Sequence, residues 1–275
     1  MPVLTILPHG VTGGFGGSHA AEPPVRSEIN GWSSHSAKRN TKFLRSILHG
    51  SLTGYGYALS LTVRYCPNSH TDWQKLRNAF FQRLRRLGVT RCHWIVEWQR
   101  RRIPHMHLAI WFDDAMAHNV VIDHWLAVTE RYESRSIAQD VKDIYGYDGW
   151  AKYVSKHLSR GLQHAQRCNS ARPRGWTKSG RVWGKFGNWT TDAGHRVEMS
   201  DDAFWSLRRI IKRYRIAQVR QASEWKSLTF LRRSLKCADP EKSAVIGLNE
   251  WIPQQVQLRI IHIMLNTGTL TYQYY

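Results

Sequence analysis

The chain has 275 residues, 42% of them apolar, with 40 Lys and Arg against 20 Asp and Glu for a formal net charge of +20. That length fills one large domain or a domain with an appendage, and so large an imbalance points to a polyanionic partner. Cys66, Cys92, Cys168 and Cys237 are scattered without CxxC spacing, and no window approaches the roughly 18 apolar residues of a membrane span, which argues against a disulfide scaffold, a zinc site of cysteines and a membrane partner.

The opening apolar stretch, Val3 to Leu7, is short, broken by Pro2 and Pro8 and without a basic lead, so it does not read as an export signal. A soluble, cytoplasmic protein with reduced thiols is the expectation. Residues 1–30 include Gly10-Val-Thr-Gly-Gly-Phe-Gly-Gly-Ser18 and Pro23-Pro24 and are expected to be a disordered tail. Residues 31–50 turn basic (Lys38, Arg39, Lys42, Arg45) and suit a short helix or a DNA-contacting arm.

Alternation in Ala58-Leu-Ser-Leu-Thr-Val-Arg64 predicts a strand. Trp73, Leu76, Phe80, Leu84 and Leu87 recur at helical steps and predict an amphipathic helix over 72–87, stopped by Gly88. Strands follow at about 91–98 and 105–112, joined by Gln99 to Pro104 as an antiparallel hairpin. Further on come a helix at 117–133, a short strand at 136–142 and a helix from Asp148 to Leu158. Residues 167–185 read as a basic loop, and a basic helix begins at Asp201 and runs to about Gln218.

The most informative motif is His105-Met106-His107, at the head of an apolar run. Side chains alternate along a strand, so both imidazoles project to one face while Met106 packs on the other. Such a pair is half of a metal site, and Glu97, brought beside it by the hairpin, is the candidate third ligand. The competing reading of Glu97 is a salt bridge to Arg100, Arg101 or Arg102. Tyr153 and Lys156 stand at i and i+3 of the later helix, where Lys156 could stabilise a phenolate or hold a phosphate. A Tyr with a Lys one turn on is common; its weight comes from its position downstream of the histidines.

In that order, Leu59-Ser-Leu-Thr62, Glu97 with Pro104-His-Met-His107, and Tyr153-Val-Ser-Lys156 resemble the three motifs of the HUH endonuclease superfamily. Within it the chain is most similar to single-tyrosine rolling-circle replication initiators of plasmids and phages, over about residues 56–160. The resemblance implies an α+β fold, a central antiparallel sheet with flanking helices and a ferredoxin-like, RRM-like core. It implies His105, His107 and Glu97 as ligands of Mg²⁺ or Mn²⁺, Tyr153 as nucleophile and Lys156 as its electrostatic helper. The activity implied is nicking and rejoining of single-stranded DNA at a replication origin, through a 5′-phosphotyrosine and a free 3′-OH. His157 stands where a YxxxY pair would place its second tyrosine, which favours a single-tyrosine mechanism. Tyr145 and Tyr147 remain alternative nucleophiles.

Candidates for holding DNA are Arg100, Arg101 and Arg102 of the hairpin, Arg172, Arg174, Lys178, Arg181 and Lys185 of the basic loop, and Arg208, Arg209, Lys212 and Arg213 of the basic helix. The expected organisation is the tail at 1–30, an endonuclease domain at 31–190 and a basic helical extension at 191–275. No GxxxxGK[ST] loop is present, so a host helicase would unwind the duplex and a host polymerase would extend the 3′ end. Rival readings are a single-tyrosine transposase or mobilisation relaxase with the same chemistry, or a non-catalytic nucleic-acid-binding protein.

Overall fold

A computed structural model describes residues 1–15, 31–146, 149–150, 153, 162, 164–221, 229 and 247–269. Its strands are β1 (Pro2–Leu7), β2 (Gly10–Phe15), β3 (Tyr55–Thr62), β4 (Arg91–Trp98), β5 (Pro104–Phe112), β6 (Asp140–Ile144), β7 (Trp183–Gly187), β8 (His195–Glu198) and β9 (Gly247–Glu250). Its longer helices are α1 (Ser34–Ser46), α2 (His70–Arg86), α3 (His118–Val128), α4 (Asp201–Gln221) and α5 (Gln254–Asn266). Among the described residues no helix is long and apolar enough to cross a membrane. The α+β class is as expected, with two antiparallel sheets rather than one. The chain divides into two compact units, one formed by the described residues of 25–44 and 48–190, the other by those of 1–24, 45–47 and 191–275.

The larger unit is built on a sheet of order β6-β3-β5-β4-β7, with every neighbouring pair antiparallel. Alternation sends Leu59 and Leu61 of β3, Trp94, Val96 and Trp98 of β4, and Met106, Leu108 and Ile110 of β5 to one face. These residues share a core with Trp73, Phe80, Phe81 and Leu84 of α2 and Trp125 of α3. Trp125 packs edge-on against Trp73 and Phe80, at ring-centroid separations of 5.8 and 5.2 Å. Each such side chain stabilises the fold by roughly 1.5–3 kcal/mol on burial. The start of α2 is set by Ser69, whose Oγ accepts from the Asp72 amide at 3.1 Å and donates to the Asp72 carboxylate at 2.9 Å. Its end is set by Gly88 at φ 87.

The smaller unit corrects the expectation of a disordered start for residues 2–15. β1 and β2 pair as a hairpin in a sheet of order β8-β1-β2-β9. The glycines of β2 read as disorder because they remove side chains. Here Gly13 faces β1 so closely that a Cβ would lie 2.6 Å from the Val3 carbonyl oxygen. The region after 190 is likewise not helical throughout, since β8 and β9 pair with β1 and β2. Leu4 and Val11 pack with Phe204, Leu207 and Ile211 of α4 and with Ile252, Ile260 and Met264. Gln257 of α5 is buried and donates to the carbonyls of Leu7 (3.0 Å) and Ile252 (2.8 Å).

Candidate active site on the polar face of the larger sheet

Residues directly opposite in an antiparallel pair share a face, so the register gives the site its layout. One row across β3, β5 and β4 is Thr62, His105 and Glu97; the next is Ser60, His107 and Ile95; the next is Ala58, Ala109 and His93. β7 extends the third row with Lys185. The two expected histidines therefore point the same way, with ring centroids 4.3 Å apart and planes at 87°, while Met106 is buried in the core on the other face.

His107 is buried and its Nδ1 is 2.9 Å from Ser60 Oγ. Its Nε2 lies 3.6 Å from Oε2 of Glu97. His105 is half-buried, and Gln99 Nε2 donates to its Nδ1 at 3.4 Å. Gln99 is itself oriented by Arg101, whose Nε donates to Gln99 Oε1 at 2.7 Å. Glu97 is completely withdrawn from solvent, and Nε of the buried Arg167 donates to its Oε1 at 2.8 Å. The guanidinium also lies 4.2 Å from the centroid of Trp32. The salt bridge that the competing reading of Glu97 assigned to a hairpin arginine is made here by Arg167.

Among the described residues, no three His, Cys, Asp or Glu side chains are drawn together tightly enough to hold a metal ion. His107 and Glu97 are the part of the expected ligand set in close approach, and His105 adjoins them through the His107 ring. Two imidazoles and a carboxylate suit a divalent cation chemically, and Arg167 engages one Glu97 oxygen while the other faces His107.

Tyr153 is helical and 7% exposed, and its ring stacks on Trp150 at 5.6 Å. Its phenolic oxygen lies 3.1 Å from Nδ1 of His93, and Nε2 of His93 lies 2.8 Å from Oδ1 of Asn40 on α1. Burial holds the Tyr153 phenol well above the usual tyrosine range, with the charge of Glu97 adding to the effect. Burial, reinforced by Lys185, pushes the His93 imidazole down to about 3. Both groups are therefore neutral at physiological pH. Tyr145 is 76% exposed and donates to Asp143 at 2.5 Å, a bond that raises its pKa. Lys156, Tyr147 and His157 lie outside the described residues.

Sequence reasoning missed His93, Asn40, Ser60 and Arg167. His93 was detectable, because it stands four positions before Glu97 on one strand and so shares its face. Ser60 was legible as part of β3 but not as the partner of His107. Asn40 and Arg167 meet their partners across 53 and 70 residues, and no local pattern marks either.

The basic residues divide into several environments. Arg100, Arg101 and Arg102 are exposed at the hairpin turn, where Arg102 adopts φ 61. Arg101 is anchored by donating to the Val63 carbonyl at 2.8 Å. With Arg64 and Arg135 it lines a cavity of about 240 Å³. Arg174, Arg181 and Lys185 are exposed, whereas Arg172 and Lys178 are half-buried. Lys185 lies 4.1 Å from the Phe43 ring centroid. In the smaller unit Arg209, Lys212 and Arg213 face solvent, and Arg208 folds over Trp205 at 4.8 Å.

The family model of the replication-associated protein ORF2/G2P matches residues 56–158, the stretch from β3 to beyond Tyr153. A Xylella fastidiosa (strain 9a5c) protein named for replication is 41% identical over 269 residues, covering 94% of both chains. The replication-associated protein G2P of Pseudomonas phage Pf3 is 42% identical over 248 residues, covering 88% of both chains. No solved structure matches. With relatives this similar over nearly its whole length, the chain belongs to the family of ORF2/G2P replication-associated proteins.

Proposed function

We propose that this protein initiates rolling-circle replication by nicking one DNA strand with Tyr153 and later rejoining it. The observation that carries the reading is the single sheet face with Glu97 and His105 in one row, His107 in the next and His93 in the third, where the His93 ring meets the Tyr153 phenol. The replication names of the relatives favour an initiator over a transposase or a relaxase.

In this reading Tyr153 attacks the scissile phosphorus, the bond to the 3′ oxygen breaks, and the phosphate stays on tyrosine as a 5′-phosphotyrosine. Trp150 and His93 hold the phenol in one orientation, which lowers the entropic part of the barrier. His105, His107 and Glu97 would have to draw closer together to hold Mg²⁺ or Mn²⁺, which supplies Lewis acidity at the phosphate when bound. Arg167 keeps the Glu97 carboxylate fixed in a water-poor setting. The basic residues of the hairpin, the 172–185 stretch and α4 would hold the strand by its phosphates. The released 3′-OH would serve a host polymerase, and a host helicase would open the duplex.

The test is incubation with single-stranded oligonucleotides tiling the replicon that carries the gene, in Mn²⁺, followed by denaturing electrophoresis. The expected result is an adduct that EDTA abolishes, with the nucleotide mapped to Tyr153 by mass spectrometry. Tyr153→Phe should lose it and Tyr145→Phe should keep it. Binding that ignores EDTA and leaves no adduct on any oligonucleotide would mark a non-catalytic DNA-binding protein instead.

A further inference from the structure

The proposed chemistry leaves one step open, the removal of the Tyr153 proton. A phenol in this setting is not a resident phenolate, because its burial and the nearby Glu97 carboxylate both oppose the negative charge. The proton has to leave as the tyrosine attacks, and an acceptor must lie within hydrogen-bond reach.

The geometry points to a buried relay in which His93 is the general base for Tyr153 and Asn40 is the residue that positions it. This inference rests on the proposed nicking by Tyr153. Oδ1 of Asn40 can only accept, so Nε2 of His93, 2.8 Å away, carries the ring proton. A neutral imidazole protonated at Nε2 has a lone pair at Nδ1, and Nδ1 is the atom 3.1 Å from the Tyr153 oxygen. Nucleophile, base and orienting group stand in series, the logic of catalytic triads built here from tyrosine, histidine and asparagine. The elements hold the order: His93 is in mid-strand on β4, Asn40 is on α1, and both are buried. Phe43, one helical turn after Asn40, stacks on His93 at 5.9 Å and closes the ring's open side. An asparagine in third place lets the imidazole stay uncharged in the resting protein, consistent with its depressed basicity.

The step balances. The Tyr153 oxygen bonds to phosphorus as the phenol proton passes to Nδ1 of His93, and the phosphorus–O3′ bond breaks. The departing O3′ takes a proton from water, and the imidazolium returns its proton to solvent. Transfer to His93 becomes favourable only late in the attack, when the phenol oxygen turns into an ester oxygen and the ring faces an added phosphate charge. The site is therefore silent until a strand is bound.

The experiment is single-turnover adduct formation on the oligonucleotide that the wild-type protein cleaves, at fixed saturating Mn²⁺, across pH. His93→Gln, which keeps a hydrogen-bonding group but cannot take the proton, should slow the step by about 100-fold or more, within the range of general-base contributions. Asn40→Asp places a carboxylate behind the ring and raises its basicity, so the acid limb of the pH profile should move upward. The double variant Asn40→Asp/His93→Gln should lose that movement. Far-ultraviolet circular dichroism on each variant shows that it is folded. A wild-type rate in His93→Gln, or an acid limb in Asn40→Asp that matches the wild type, overturns the relay while leaving Tyr153 nicking intact. Absence of any adduct in the wild type removes the nicking reading and the relay together.

Discussion

Arg167 donates its Nε to Oε1 of Glu97 at 2.8 Å, and both side chains are almost entirely out of solvent. A buried pair of this kind is sensitive to loss of one partner, because the remaining charge stays desolvated. We expect Arg167→Met to destabilise the protein by about 3–5 kcal/mol in urea denaturation. Arg167→Met combined with Glu97→Leu should recover most of that stability, since the stranded carboxylate is gone. The double variant should still form no Mn²⁺-dependent adduct, which separates the structural role of the pair from the role of Glu97 in the site. A single variant as stable as wild type would show that the ion pair is not what holds Glu97.

Ser60 stands opposite His107 on β3, with its hydroxyl 2.9 Å from Nδ1. Groups that orient a ligand imidazole typically account for about 10–100-fold in metal affinity. Ser60→Ala should weaken Mn²⁺ binding by that factor, and His107→Ala should abolish it, as followed by the loss of free Mn²⁺ signal in electron paramagnetic resonance. Equal affinity in wild type and His107→Ala would place the metal elsewhere.

The folded protein keeps His93 uncharged, its imidazole being pushed down to about 3, whereas an unfolded histidine titrates near ~6.5. Below that value protons bind the unfolded chain and not the folded one, so the contribution of His93 is fully present above ~6.5 and is lost as pH falls. Between pH ~6.5 and ~5 the loss is about 2 kcal/mol. Urea denaturation at the two ends should show that share of acid sensitivity in the wild type and not in His93→Gln. Identical pH dependence in both would mean that His93 accepts a proton within the fold.

Arg209, Lys212 and Arg213 lie on the solvent side of α4, whereas Arg208 packs over Trp205. If the exposed three meet DNA phosphates, replacing them together by Ala should lower the slope of log affinity against log salt by about 2 for a single strand. Fluorescence anisotropy of a labelled strand across a KCl series measures it. Arg208→Ala should act mainly on stability. An unchanged slope in the triple variant would take α4 out of the DNA interface.

Much of the larger unit was legible because its elements are locally encoded. Trp73, Phe80 and Leu84 repeat at helical steps, and β4 and β5 alternate around a short turn, so the periodicities survive without knowledge of their partners. β7 was hidden within a basic loop, since Trp183–Gly187 is short and takes its strand character from pairing with β4, where Gly184 makes room for the Trp94 indole. β1 and β2 were hidden for a similar reason. Their glycine-rich composition resembles a tail, and what orders them is pairing with β8 and β9, far along the chain.

By itself the amino-acid sequence determined that His105 and His107 share a face, because a strand's two-residue period leaves them no other arrangement. It also placed Glu97 beside them through a short hairpin, and its net charge of +20 made a polyanionic partner the expectation. Only the tertiary structure decided which groups surround these three: Arg167 on Glu97, Ser60 on His107, and Asn40 and Tyr153 on either side of His93. Those contacts join β-strands to residues tens of positions away. They depend on side chains meeting in a buried, low-dielectric space, and no local spacing in the chain encodes where that space will be.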